Sequence, residues 1–113
     1  MLKCKFKTEV LENNGHRKEI VKVCFDKKNK MLEEFVNTEV RSFKTAVYSV
    51  LNEIEDCDRS WLGFTGNRFR MLVARKVVYI DDNYKERPGI VVDTAELRDF
   101  VEEYIEKTTH HTQ

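Results

Sequence analysis

Apolar and polar positions alternate from the start of the chain, where Leu2, Cys4, Phe6, Thr8 and Val10 are interleaved with Lys3, Lys5, Lys7 and Glu9. A period of two is that of a strand with one buried face. Asn14-Gly15 is a strong hairpin signal and predicts a return strand from about Lys18 to Phe25. The register then puts Phe6 opposite Val23, Thr8 opposite Val21 and Cys4 opposite Phe25 on the core side. Lys7 faces Lys22 and Lys5 faces Cys24 on the outer side. A slip of one residue would send lysines into the core, so pattern and turn support each other.

Residues Met31 to Val36 fit either a short third strand or the first turn of a helix. From Glu39 the period lengthens. Val40, Phe43, Val47, Val50, Leu51 and Ile54 mark the stripe of an amphipathic helix that ends near Asp56. Trp61 to Val73 reads as a second hairpin, with Gly66-Asn67 as a two-residue turn of positive φ. That turn sets Phe64 against Phe69 and Leu62 against Met71 on an apolar side. On the other side Thr65 meets Arg68, Gly63 meets Arg70, and Trp61 meets Leu72.

Ala74-Arg75-Lys76 has no strong turn residue and predicts a corner or bulge before a strand at Val77 to Ile80. A polar loop from Asp82 to Pro88 precedes a short strand, Ile90 to Val92. Asp93 with Glu96 then resembles a capping box, opening a helix whose apolar face is Leu97, Phe100, Val101, Tyr104 and Ile105. One-sided strands and one-sided helices predict an α+β fold in two layers: a mainly antiparallel sheet of about five to six strands, with two amphipathic helices on one face. A single domain is expected over residues 1–107, followed by a flexible tail, 108–113.

Charge adds a spatial element. The 113 residues carry 20 basic and 20 acidic side chains and no net charge, which speaks against a uniformly basic nucleic-acid binder. Counted along the sequence, however, the balance is +5 over residues 1–30, −5 over 31–58, +4 over 59–88 and −4 over 89–113. Strands are basic and helices acidic. The expected fold therefore has a cationic sheet face bearing Lys3, Lys5, Lys7, Lys18, Lys22, Arg68 and Arg70, with Trp61 among them. Its helix layer would display Glu53, Glu55, Asp56, Asp58, Asp99, Glu102, Glu103 and Glu106.

Two features work against local stability: the like-charged pair Lys7–Lys22, and the acids at the negative pole of the first helix. The plain explanations are that lysines keep exposed strands from pairing with other chains and that charges solvate helix faces.

Candidate chemistry is sparse. Gly63-Phe64-Thr65-Gly66-Asn67-Arg68 lacks the spacing of a phosphate loop. Asp81-Asp82 and Asp58 lack the ligand spacing of a calcium loop, and His16, His110 and His111 have no sequence-local catalytic partner. Cys4, Cys24 and Cys57 form no CxxC pair, so free thiols are expected and zinc is not. No catalytic residue, metal or cofactor is predicted. The first residues lack the apolar run of a signal peptide, and no stretch approaches the roughly 18 apolar residues of a membrane span. A cytoplasmic protein with no membrane partner is expected.

The run Ile90-Val91-Val92-Asp93-Thr94-Ala95-Glu96-Leu97-Arg98-Asp99-Phe100-Val101 takes a short strand into a capped acidic helix. With the chain's size and plan, it resembles the immunity proteins of bacterial toxin systems, including contact-dependent inhibition. The resemblance covers about the last quarter of the chain and transfers no functional residue. It implies a non-enzymatic protein that binds and blocks one cognate toxin, often a basic nuclease.

The first expectation is therefore a protein-binding inhibitor acting through Glu53, Glu55, Asp56 and Asp58, then Asp99, Glu102, Glu103 and Glu106. The alternative is a nucleic-acid-binding sheet using Lys5, Lys7, Lys22, Trp61, Arg68 and Arg70. A third is a self-associating structural protein, and the oligomeric state is left open.

Overall fold

The computed structural model describes residues 2–109 and is α+β, with antiparallel strands throughout. The order is β1 (Lys5–Asn13), β2 (His16–Cys24), a 3-10 turn (Lys27–Asn29), α1 (Lys30–Phe35), a wide turn of π geometry (Val36–Val40), α2 (Arg41–Asp56), β3 (Leu62–Thr65), β4 (Phe69–Val73), β5 (Val77–Asp82), β6 (Ile90–Asp93) and α3 (Thr94–Thr109). The six strands form two sheets rather than one. β1 and β2 make a two-stranded hairpin, and β3-β4-β5-β6 make a four-stranded meander.

The first hairpin has the register its alternation predicts: Phe6 opposite Val23, Thr8 opposite Val21 and Lys7 opposite Lys22. Asn14 and Gly15 adopt positive φ at the turn, 53° and 83°. Only the base of this hairpin reaches the core. Val21 and Val23 are buried and the Phe6 ring stacks 6.0 Å from Phe100 of α3, whereas residues 7–19 are exposed.

Among the described residues no strand pairing joins this hairpin to the meander. Side chains of the helical run perform that service. Asn37 accepts from the Val23 N–H at 2.9 Å and donates to the Val23 carbonyl at 2.8 Å, copying the hydrogen bonds of a neighbouring strand. Glu33 accepts from the Phe25 N–H at 2.7 Å.

Met31 to Val36, which periodicity left open between strand and helix, is helical. Met31, Leu32, Phe35 and Val36 bury one stripe in a core completed by Val40, Val47, Leu51 and Ile54. The helical run bends at Phe43 (φ −129°, ψ 34°), whose ring meets Phe64 of β3. α3 starts as expected, with the Glu96 N–H donating to Asp93 Oδ1 at 3.0 Å. It extends further than expected. Thr108, assigned from the sequence to a flexible tail, is buried and its hydroxyl donates to the Tyr104 carbonyl at 2.8 Å. Residues 110–113, the rest of that tail, lie outside the described residues.

The second hairpin departs from its expected register. Leu62 lies opposite Val73, Gly63 opposite Leu72, Phe64 opposite Met71 and Thr65 opposite Arg70. The Gly66 N–H donates to the Phe69 carbonyl at 2.8 Å, so Asn67-Arg68 makes the turn, and neither Gly66 nor Asn67 has positive φ. The shift moves each partner by two residues, so the sides are preserved and Phe69, Met71 and Val73 still face the helices, fully buried.

The physical reason is tertiary. Glu39, on the wide turn, is 2% exposed and its carboxylate occupies the space that a side chain at Gly66 would need. Its Oε1 accepts from the Arg68 N–H at 3.2 Å. Gly66 is there for close approach and not for an unusual φ.

At Ala74-Arg75-Lys76 the chain reverses fully, with the Ala74 N–H donating to the Val77 carbonyl at 2.9 Å, instead of turning a corner. The loop after β5 is tied back by Arg87. Its guanidinium bonds Glu34 of α1, lies 3.7 Å from Asp82 and sits over the Phe69 ring.

Gly66→Ala should cost about 1–3 kcal/mol by overpacking against Glu39. In a urea-denaturation double-mutant cycle with Glu39→Ala, the two losses should be less than additive. The Lys30 ammonium, and after it the Phe25 N–H, holds the Glu33 carboxyl below the usual range. Its contribution should be complete above that range and lost as pH falls through the lowered value. Glu33→Gln should flatten that part of the stability-versus-pH curve.

Candidate functional site

All eight acidic side chains singled out in the sequence, Glu53, Glu55, Asp56, Asp58, Asp99, Glu102, Glu103 and Glu106, are exposed. α2 and α3 run antiparallel, which sets the end of α2 beside the start of α3. Arg98, in the first part of α3, donates through Nε to the Leu51 carbonyl at 3.1 Å and through Nη2 to Glu55 at 2.8 Å. At the other end Lys44 Nζ donates to the Thr108 hydroxyl at 3.2 Å.

Glu55 is thus paired with Arg98, and Glu103 with Lys107 at 3.5 Å. Among the described residues Glu53, Asp56, Asp58, Asp99, Glu102 and Glu106 enter no ion pair. The acids closing α2 sit where the helix dipole disfavours them. Arg75 offsets this by donating to the Cys57 carbonyl from the β4–β5 turn.

Where α2 gives way to β3 the surface is hollowed. The hollow is lined by Asn52, Glu53, Asp56, Cys57, Asp58, Arg59 and Leu62. Trp61 adjoins it, flanked in the chain by the lining residues Arg59 and Leu62, and is 58% exposed. Its ring lies against Gly63, at 3.4 Å from where a side chain would begin. The indole therefore packs beside the strand at ordinary contact distance while most of it stays open to solvent.

Gly63 opens a row that crosses the whole meander on the face turned away from the helices: Gly63, Leu72, Tyr79 and Val91 are successive cross-strand partners. Tyr79 and Val91 are exposed, as is neighbouring Val77. The uncovered face of the meander is therefore apolar along this row, with Trp61 at one end. An exposed apolar surface with an aromatic anchor is characteristic of protein contact sites.

The expected cationic sheet face does not form. Lys5, Lys7 and Lys22 belong to the separate hairpin, where Lys22 lies 3.8 Å from Glu9. Arg68 sits in the turn and covers Phe69, with its Nε buried and unpartnered. Arg70 is on the open face beside the row, but it donates to Asp81 through Nε at 3.2 Å and Nη2 at 3.0 Å. Its partner is that carboxylate and not Trp61. The separation follows from how the hairpin is held. Helix side chains anchor it, so its lysines never join the meander.

The sequence reading missed three residues of the open face, Tyr79, Val77 and Val91. Their signal was present as alternation in β5 and β6, but the face they share depends on β4 pairing with β5, which no turn residue announced.

Trp61→Ala should change stability by less than about 0.5 kcal/mol, as for surface positions. Phe69→Ala should cost about 3–5 kcal/mol. Chemical denaturation of both variants checks whether Trp61 serves the surface or the core. No helix among the described residues is long and apolar enough to cross a membrane. No protein-family model, curated protein or solved structure matches this chain.

Proposed function

We propose that this chain is a non-enzymatic protein-binding module of the inhibitor or immunity type. Its partner is a basic protein, of which a nuclease toxin is the class that best suits the surface. The observation that supports this reading is the junction at 52–62. There the unpaired carboxylates of Glu53, Asp56 and Asp58 surround a hollow, and Trp61 projects beside it. A nuclease surface must attract phosphate and is commonly cationic.

Unpaired carboxylates raise the rate of encounter with such a surface and reject acidic competitors. An exposed indole supplies the apolar contact that slows dissociation. Asp99, Glu102 and Glu106 extend the same field along α3. The free thiols Cys4, Cys24 and Cys57 suit a reducing, cytoplasmic setting for this encounter.

The nucleic-acid reading has less support, because its cations are divided between two sheets and Arg70 is already paired.

The test uses tagged full-length protein in its native cell, with wild type, a Glu53→Lys/Asp56→Lys/Asp58→Lys variant and Trp61→Ala compared side by side. Wild type should retain a basic protein, with an association rate that falls steeply as salt is raised. The triple variant should slow association at least tenfold, and Trp61→Ala should mainly accelerate dissociation. Equal retention by all three proteins, or association indifferent to salt, would defeat the proposal.

A further inference from the structure

A second concavity lies at the opposite end of the helix pair, between the base of the β1–β2 hairpin and the adjacent ends of α2 and α3. Its volume is about 190 Å³. Three cationic residues line it: Lys18 from β2, and Arg41 and Lys44 from one turn of α2. None of the three enters an ion pair among the described residues, and Glu19 is the only carboxylate in the lining.

Arg41 is held in place through Nη2, which donates to the Val21 carbonyl at 3.3 Å, while its Nε is buried without a hydrogen-bond partner. Lys44 is positioned by the Thr108 hydroxyl. Ile20, Val21 and the ring of Tyr104 supply hydrocarbon walls. Burial pushes the Tyr104 hydroxyl pKa up, against a smaller opposing pull from Arg41, which keeps that hydroxyl neutral and able to donate.

A buried guanidinium nitrogen without a partner is costly in a folded protein, and the two lysines lining the same cleft add positive charge that a single carboxylate, Glu19, accompanies. An oxyanion would offset both. A bare inorganic ion would leave the apolar walls unused, and the cleft is below the roughly 300 Å³ at which pockets for drug-sized ligands begin. We infer that this cleft binds a small organic anion, whose carboxylate or phosphate is held by Arg41, Lys44 and Lys18 while a short apolar body lies against Ile20, Val21 and Tyr104. The site is separate from the acidic junction and does not rest on the protein-binding reading. It gives the chain a way to register a small molecule, because the ligand would bridge the hairpin to the helices.

The inference is tested by amide NMR titration and thermal unfolding of the full chain with benzoate, phenyl phosphate, inorganic phosphate and the neutral isostere benzamide. Benzoate or phenyl phosphate should give saturable shifts at Val21, Tyr104 and Thr108 and raise Tm. Which of the two binds more tightly reports whether carboxylate or phosphate is preferred. Benzamide and inorganic phosphate should not saturate.

Lys44→Gln should weaken binding roughly tenfold, as expected for loss of one charged hydrogen bond. Lys18→Gln, on the exposed hairpin, should weaken it without disturbing the fold. Lys28→Gln, in the turn before α1, should have no effect. The inference fails if neither organic anion saturates. It also fails if benzamide or inorganic phosphate binds equally well, or if both Lys44→Gln and Lys18→Gln bind like wild type.

Discussion

Among the described residues the two sheets share no backbone hydrogen bond, and besides the common hydrophobic core one polar segment of helix ties to both. Along the wide turn Val36–Val40 and the α1 turn before it, side chains alternate in allegiance. Asn37 and Glu33 reach outward to Val23 and Phe25 of the hairpin. Glu39 reaches inward to Arg68, and Glu34 to Arg87 beside the meander. Val36 and Val40 lie between them in the core. A backbone group hidden from water needs a partner, and these side chains provide it where a neighbouring strand would otherwise stand. The π geometry supports this division, since it widens the turn at the point where both sets of contacts must be served.

This arrangement determines where charge ends up. Had the hairpin joined the meander, its lysines would have lain beside Arg70 on one continuous face. Anchored to the helices instead, it carries them away. The open face of the meander is left with an apolar row and one ion pair, Arg70–Asp81. The acids of α2 and α3 are consequently short of partners: among the described residues only Arg98 and Lys107 form ion pairs with the eight singled out. Unpaired carboxylates and an exposed indole occur together at the end of α2, and the functional reading rests on that coincidence.

The hairpin also creates the cationic cleft. Its base leans on α2 and α3 without filling the space between Ile20 and Tyr104. A two-stranded hairpin is marginal by itself, and the exposed part beyond Val21 has little holding it. Contacts at the base therefore govern how firmly the whole arm is held, and Arg41 and Lys44 stand where an added ligand would change that.

Local rules settled much of this molecule. The alternation from Leu2 to Val10 together with Asn14-Gly15 determined the first hairpin residue by residue, because the two-residue turn sets the register and the burial of Val21 and Val23 at the base holds it. The stripe from Val40 to Ile54 and the Asp93 cap likewise announced their helices, and the exposure of all eight acids followed from their lying off those stripes. Tertiary structure decided the rest. Gly66-Asn67 looked like a turn for its φ preference, yet Glu39, far away in sequence, claimed the space above Gly66 and moved the turn by one residue. Met31 to Val36 became helix because Phe35 found Phe69 of the meander to pack on and Leu32 joined the same core. Whether six strands form one sheet or two depends on which backbone edges meet. A single strand's pattern records which of its faces is buried and carries no record of its neighbour.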